Sequence, residues 1–224
     1  MRYDTKVEDL SKREKDKDMS QKVKRIIMAL LGVSISGICV GIFNTVLLGA
    51  DPFTVFVVGI GNVFHLAYGS IYTAVTGVLL ILVFFLDRSY IGIATVFNLF
   101  GIGYIAQFTM YLIGLVYHEG SLLLRLILLL IGLLLLCFGS SLYFTANLGV
   151  SAYDAIALML AKRTPIQFRL CRIGTDFICV IIGFFCKATI GIGTVITAFF
   201  MGPIIQWFND HVSGPMLQGK KKEQ

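Results

Sequence analysis

Charge is excluded from almost the whole of this chain. Of 19 basic and 13 acidic side chains, 15 fall in residues 1–25 and four in 220–224, leaving 13 for the 194 residues between. The run Ile26–Ala50 is uncharged, and so are Leu66–Leu86, Ser89–Tyr117, Leu126–Tyr153 and Ala188–Asn209. A helix of about 20 such residues crosses a hydrocarbon core of about 30 Å. An average soluble domain is about a quarter charged; this chain is 14% charged and 57% hydrophobic, with a mean hydropathy of +0.84. It has too little polar surface for an ordinary soluble globule. The class is an all-α polytopic membrane protein.

Six spans are expected, near 26–48, 68–86, 91–115, 123–146, 166–186 and 190–210. Two apolar pieces, 52–64 and 151–161, are too short to cross comfortably and read as re-entrant or interfacial helices. The domain organisation is then a charged cytoplasmic tail (1–25), a first membrane repeat (26–118), a second (119–212) and a basic cytoplasmic tail (213–224). The N-terminus is no cleavable signal, because its apolar run is longer than the ~7–15 residues of a secretory core. Residues 1–24 mix both signs of charge and are expected to be solvated and partly disordered. With six spans and the N-terminus inside, 17 of 19 Lys and Arg fall on the cytoplasmic side, leaving Arg125 and Lys187 outside. That meets the positive-inside bias. Eight full crossings would satisfy the charges equally well, and segment length favours six.

The halves repeat each other. Leu48-Gly49-Ala50-Asp51-Pro52-Phe53 aligns with Leu148-Gly149-Val150-Ser151-Ala152-Tyr153, and Ile91-Gly92-Ile93-Ala94-Thr95-Val96 with Ile190-Gly191-Ile192-Gly193-Thr194-Val195. At the second offset Gly103 meets Gly202, Gln107 meets Gln206 and Phe108 meets Trp207. A repeat of three spans places its copy upside down, and inverted repeats are a recurrent plan of secondary transporters.

The turn Leu148-Gly149-Val150-Ser151-Ala152-Tyr153-Asp154, followed by Ile190-Gly191-Ile192-Gly193-Thr194 and Met201-Gly202-Pro203-Ile204, resembles the YczE/YyaS/YitT group of bacterial integral membrane proteins, most of all its YczE branch. Ala152-Tyr153 stands where that group often has Pro-Trp. The resemblance implies an integral protein of the bacterial cytoplasmic (inner) membrane; the span count and charge distribution place both termini on its cytoplasmic side. The resemblance supplies no catalytic residues.

Asp176 is the most informative position. Eleven residues at 1.5 Å each beyond Pro165 would put it about 16 Å deep, near the bilayer midplane. Ionisable groups there mark solute or proton paths by default. Arg172 and Arg169 lie one and two turns earlier on the same face, forming a stripe that Ser70, Thr73 and Gly77 replace in the first half. The stripe is either a path, or an Arg172–Asp176 pair neutralising itself while Arg169 reaches the headgroups. Asp51 and Asp154 sit at the starts of the short helices, either as caps or as walls of a shared site. Gln107 and Gln206 give matching polar spots that bind solute or bond between helices.

The basic tails lack any nucleic-acid signature and are read against an anionic leaflet instead. Five cysteines in apolar runs, without a CxxC, indicate neither disulfides nor metal. The Gly-x-Gly pairs lack the setting of a nucleotide loop, and no catalytic motif is present. No cofactor and no enzyme activity are expected. The leading function is a small secondary transporter working by alternating access on a small molecule or ion. A membrane accessory acting through a protein partner is the alternative. The bilayer and a second copy of the chain are the other expected partners.

Overall fold

The computed structural model describes residues 2–116 and 121–218, and every element of regular structure among them is helical. His118 and Lys220–Lys222 lie outside the described residues. The helices are α1 (Arg2–Val46), α2 (Pro52–Phe64), α3 (Tyr68–Leu86), α4 (Ile93–Val116), α5 (Leu122–Ala146), α6 (Ala152–Arg163), α7 (Phe168–Phe185), α8 (Ile192–Phe208) and α9 (Gly214–Gln218). Five segments are long and apolar enough to cross a membrane: Met19–Val46, Tyr68–Leu86, Ile93–Leu115, Leu122–Ala146 and Ile192–Leu217. These make the chain a membrane protein. The sixth expected span, α7, has 18 residues and carries Arg169, Arg172 and Asp176. At 13 and 12 residues, α2 and α6 are short, as their sequences indicate.

Two expectations change at the ends of the chain. The tail expected to be partly disordered continues α1 from Arg2, consistent with its wealth of Lys, Glu and Arg, which are good helix formers. After α8 the helical path runs through a π turn at Asn209–Ser213 into α9. Ser213, placed in the C-terminal tail, is fully buried and hydrogen-bonds Ser141 of α5.

Small residues let the long helices approach closely. Gly37 and Gly41 of α1 lie against Ile105 and Thr109 of α4, so contacts advance together and these helices run parallel. Gly32 meets Tyr143 of α5, whereas Phe43 meets Gly132, so α1 and α5 are antiparallel. In turn α5 runs parallel to α8, with Leu129 at Gly193 and Phe138 at Phe208. The short helices cross between halves: α2 lies along the end of α7, with Val55 at Gly183, and α6 lies beside the end of α3, with Ala155 and Met159 packed on Val83.

The turns ahead of α2 and α6 are exchanged in the same manner. Gly193 N–H donates to Leu48 O at 2.9 Å, and Ala94 N–H donates to Leu148 O at 3.0 Å. Gly49 (φ +93°) and Gly149 (φ +104°) take up the left-handed region that side chains resist. A Cβ on either would also collide with the backbone of Gly191 or Gly92. Each half thus anchors its short helix on the first turn of the other half's last span.

Candidate functional site

The exchanged turns bring the starts of α2 and α6 face to face. Asp51 caps α2, accepting from Thr54 N–H at 3.1 Å, with Pro52 in the first turn where its missing N–H costs nothing. Ser151 caps α6, accepting from Asp154 N–H at 3.0 Å, and its own hydroxyl donates to Asp154 at 2.7 Å. The aligned residues Phe53 and Tyr153 stack on each other, their ring centroids 4.7 Å apart. Phe53 and Tyr72 meet nearly at right angles, their ring centroids 5.9 Å apart.

Below this stack lies a buried ionic cluster. Asp154 and Asp176 are 5% and 6% exposed. Arg172 donates to Asp154 and approaches Asp176 through Nε at 3.4 Å. Its guanidinium also lies over the Tyr153 ring, 4.5 Å from the centroid. Tyr143 donates its hydroxyl to Asp154, and Tyr153 donates to Asp176. An intramembrane charge is costly unless paired and bonded, and here one guanidinium and two phenols serve two carboxylates.

Beside the cluster is a cavity of about 690 Å³. Its lining runs from Arg169, Gln206 and Asn209, near the end of the bundle where α1 begins, inward to Asp176, Thr197, Asn98 and Asp51. Its walls are largely apolar, from Val40, Leu136, Ile173 and Phe199. A volume of several hundred Å³ suits a small organic ligand.

Six of the seven residues singled out in the sequence, Asp51, Asp154, Arg169, Arg172, Asp176 and Gln206, line this cavity. Gln107 does not. It accepts from Gly69 N–H at 2.9 Å and ties α4 to α3. Arg172 is not confined to its own helix, since Asp154 of α6 is its second carboxylate partner. Tyr143, Tyr153, Phe53 and Ser36 escaped the sequence reading. The alignment of Phe53 with Tyr153 was the available signal for two of them, while Tyr143 and Ser36 look like any residue of an apolar span. Among the described residues no group of His, Cys, Asp and Glu is placed to hold a metal ion.

Outside the membrane, Asp87 follows α3 and accepts from Lys162 of α6 at 3.0 Å and from the Ser89 hydroxyl at 2.6 Å. Ser89 and Lys162 together hold the Asp87 carboxyl down at about 2. At the other end, Asn62 of α2 donates to Lys187 O at 3.0 Å.

Residues 23–210 match a family described as "Family of unknown function (DUF6198)", and the chain belongs to it. An "Uncharacterized protein" of Haemophilus influenzae is 28% identical over 187 residues, covering 83% of each chain. No solved structure matches.

Proposed function

We propose that this member of a family of unknown function is a small secondary transporter of the bacterial cytoplasmic membrane. In this reading α1, α3 and α4 form one repeat and α5, α7 and α8 its inverted copy. The short helices α2 and α6 re-enter from opposite sides. Support comes from the exchanged turns, from α1 running parallel to α4 and antiparallel to α5, and from the Phe53–Tyr153 stack of aligned residues. Transporter sites characteristically lie between inverted repeats, at the starts of interrupted helices.

One observation carries the reading: the same motif is closed in one half and open in the other. Gln107, Gly103 and Tyr72 seal α3 against α4. Among the described residues the matching Gln206 side chain bonds to Asp210, one turn along its own helix, and no neighbouring element comes within 4 Å of where a Cβ on Gly202 would stand. Lys24, Arg25, Lys162, Arg163 and Arg169 all belong to segments near the end of the bundle where α1 begins, and exposed Arg169 and Gln206 line the cavity there, so on the positive-inside bias we read this end as the cytoplasmic side. The chain would then be seen facing inward. Exchanging the two arrangements would move the opening to the other side.

The test is solute flux in proteoliposomes, compared between wild type and Asp176→Asn. Flux in wild type that the variant loses, with insertion unchanged, supports the proposal. Absence of flux for all solute classes, together with a phenotype abolished by deleting residues 1–22, would favour an accessory role instead.

A further inference from the structure

The position of the cavity's opening decides what can enter it. Among the lining residues the exposed ones are Arg169 of α7 and Phe199, Gly202, Pro203 and Gln206 of α8. The remaining lining residues are buried or half-buried. The cavity therefore opens between α7 and α8. From Phe199 to Gln206 the opening follows α8 for about 10 Å, two helical turns, instead of lying only at its end. Midway along this slit, no neighbouring element comes within 4 Å of where a Cβ on Gly202 would stand. In the first half the matching gap is filled, with Gly103 against Tyr72 and Gln107 bonded to Gly69.

The slit runs through hydrocarbon. Its α8 edge belongs to a segment long and apolar enough to cross a membrane. Phe200 of α8 and Phe177 and Ile178 of α7 are exposed apolar side chains on the same two helices. Such an opening meets lipid chains along its length and water only at its end. A hydrophilic solute held there would lie beside hydrocarbon over two turns, stripped of water. An acyl chain has no polar group to strip, and Val40, Leu136, Ile173 and Phe199 offer it an apolar wall.

An uncommitted charge stands at the end of the slit. Arg169 and Gln206 lie at similar distances from the turn that joins α7 to α8, at the free end of that hairpin. Arg169 is exposed and, among the described residues, has neither a hydrogen bond nor an ion pair. By contrast Arg172 is committed to Asp154 and Asp176, Lys162 to Asp87 and Arg163 to Leu86 O. The nearby carboxylate of Asp210 is taken by Gln206. A long arginine at the end of a span reaches the headgroup level, and its planar fork matches the oxygens of a phosphate.

We infer that the cavity admits a phospholipid of the cytoplasmic leaflet, its anionic headgroup at Arg169 and one acyl chain passing between α7 and α8 to lie against Val40 and Leu136. The lipid's part as cargo rests on the transporter reading; its seat in the cavity does not.

The test uses the full-length protein in liposomes of phosphatidylglycerol and phosphatidylethanolamine. One lipid at a time carries a photoactivated diazirine midway along a chain, and adducts are mapped by peptide mass spectrometry. With labelled phosphatidylglycerol the expected adducts include Val40 or Leu136, each 5% exposed and out of reach of bulk lipid, besides Phe177 and Phe200. Ala198→Trp, which fills the cavity from α8, should abolish the inner adducts and keep the outer ones, with a thermal midpoint close to wild type. Arg169→Gln should lower the inner labelling by phosphatidylglycerol about fivefold relative to phosphatidylethanolamine, less than a buried pair would give because the site is exposed. Glycerol phosphate, the headgroup without chains, should not compete. Adducts confined to the outer positions, undiminished inner adducts in folded Ala198→Trp, or an unchanged lipid ratio in Arg169→Gln would each overturn the inference. Competition by glycerol phosphate would also overturn it, in favour of a water-soluble anion. Flux of a water-soluble solute without inner adducts would leave the transporter reading standing and remove the lipid. Inner adducts without movement of the labelled lipid between leaflets would keep the seat and remove the lipid as cargo.

Discussion

The α3–α4 pair and the α7–α8 pair carry matching residues, yet among the described residues the first is closed and the second open. In the first half Tyr72 donates to Asn98 at 3.1 Å, Thr73 donates to Leu99 O at 3.3 Å, and Gln107 accepts from Gly69 N–H. In the second half the residues aligned with Thr73 and Asn98 are Arg172 and Thr197. Arg172 turns away from α8 towards α6, and Thr197 bonds back to its own helix at Gly193 O. The cross-helix bonds of one pair have become intrahelical or ionic bonds in the other. The two pairs share a few matched positions, Thr95/Thr194, Gly103/Gly202 and Gln107/Gln206, and take different packings, in which each glutamine finds a partner of its own.

The largest expected difference lies at the matching positions 172 and 73. Arg172→Met leaves Asp154 and Asp176 buried without their cation, and breaking a buried pair in this way costs about 3–5 kcal/mol. The 21% exposure of the Arg172 side chain puts the expectation at the lower end. Thr73→Ala removes a hydroxyl shared between Gly69 O and Leu99 O and should cost about 1 kcal/mol. Thermal unfolding of the two variants in detergent measures the contrast. Equal midpoints would show that the ionic cluster carries no special weight and would remove the distinction between the halves.

A smaller effect of opposite signs is expected at the matching glycines. In Gly103→Ala the new Cβ would stand 2.9 Å from Tyr72 Cδ1 and 3.1 Å from Gly69 O, so α3 and α4 must part. Overpacking of this kind costs about 1–3 kcal/mol, less about 1 kcal/mol gained in helix propensity. Gly202→Ala meets open space and keeps only the gain, so it should raise the unfolding midpoint. Gly202→Leu sharpens the comparison further. It should leave the protein folded but block closure of α7 on α8, lowering flux without lowering affinity for a solute in the open cavity. A destabilised Gly202→Ala would mean that the second pair is closed in the membrane.

The glutamines give the third contrast. Gln107→Ala orphans the Gly69 N–H and should cost about 1 kcal/mol, whereas Gln206→Ala loses an exposed bond to Asp210 and should stay within about 0.5 kcal/mol. Identical losses would argue that Gln206 already bonds α7.

Much of this architecture was legible in advance because charge and hydrophobic length are strong signals. The exclusion of charge from Ile26–Ala50 fixes α1 as a span, and the brevity of 52–64 separates α2 from the long helices. The site was legible where residues were anomalous for a membrane, as Asp176 and Arg172 are. It was illegible where partners come from distant chain. Nothing near Asp154 announces that Arg172 will reach it from another helix, and Ser36 is unremarkable until α5 packs over it at Gly139. Matching letters also misled: Gln107 and Gln206 align, but the packing of their halves gives them different partners. The helical continuation of the charged tail was missed because charge content reports solvation more directly than backbone order.

The smallest effect concerns the contacts that tie each short helix to the other half. At one end the tie is ionic, Lys162 with Asp87, and at the other it is a neutral bond from Asn62 to Lys187 O. Only the ionic tie should respond to acid. Because Ser89 and Lys162 depress the Asp87 carboxyl from 3.8 to about 2, its contribution is fully present above about pH 4 and is lost as pH falls towards 2. Exposure and salt screening keep the effect small. Between pH 5 and 2 the unfolding midpoint of wild type should fall slightly further than that of Asp87→Asn, and the excess should shrink in high salt. Asn62→Ala should lower the midpoint by a similar amount at every pH, since an amide–carbonyl bond has no proton to gain. A pH-dependent loss in Asn62→Ala would show that the two ends are coupled through the bundle, as they would be if opening one half closes the other.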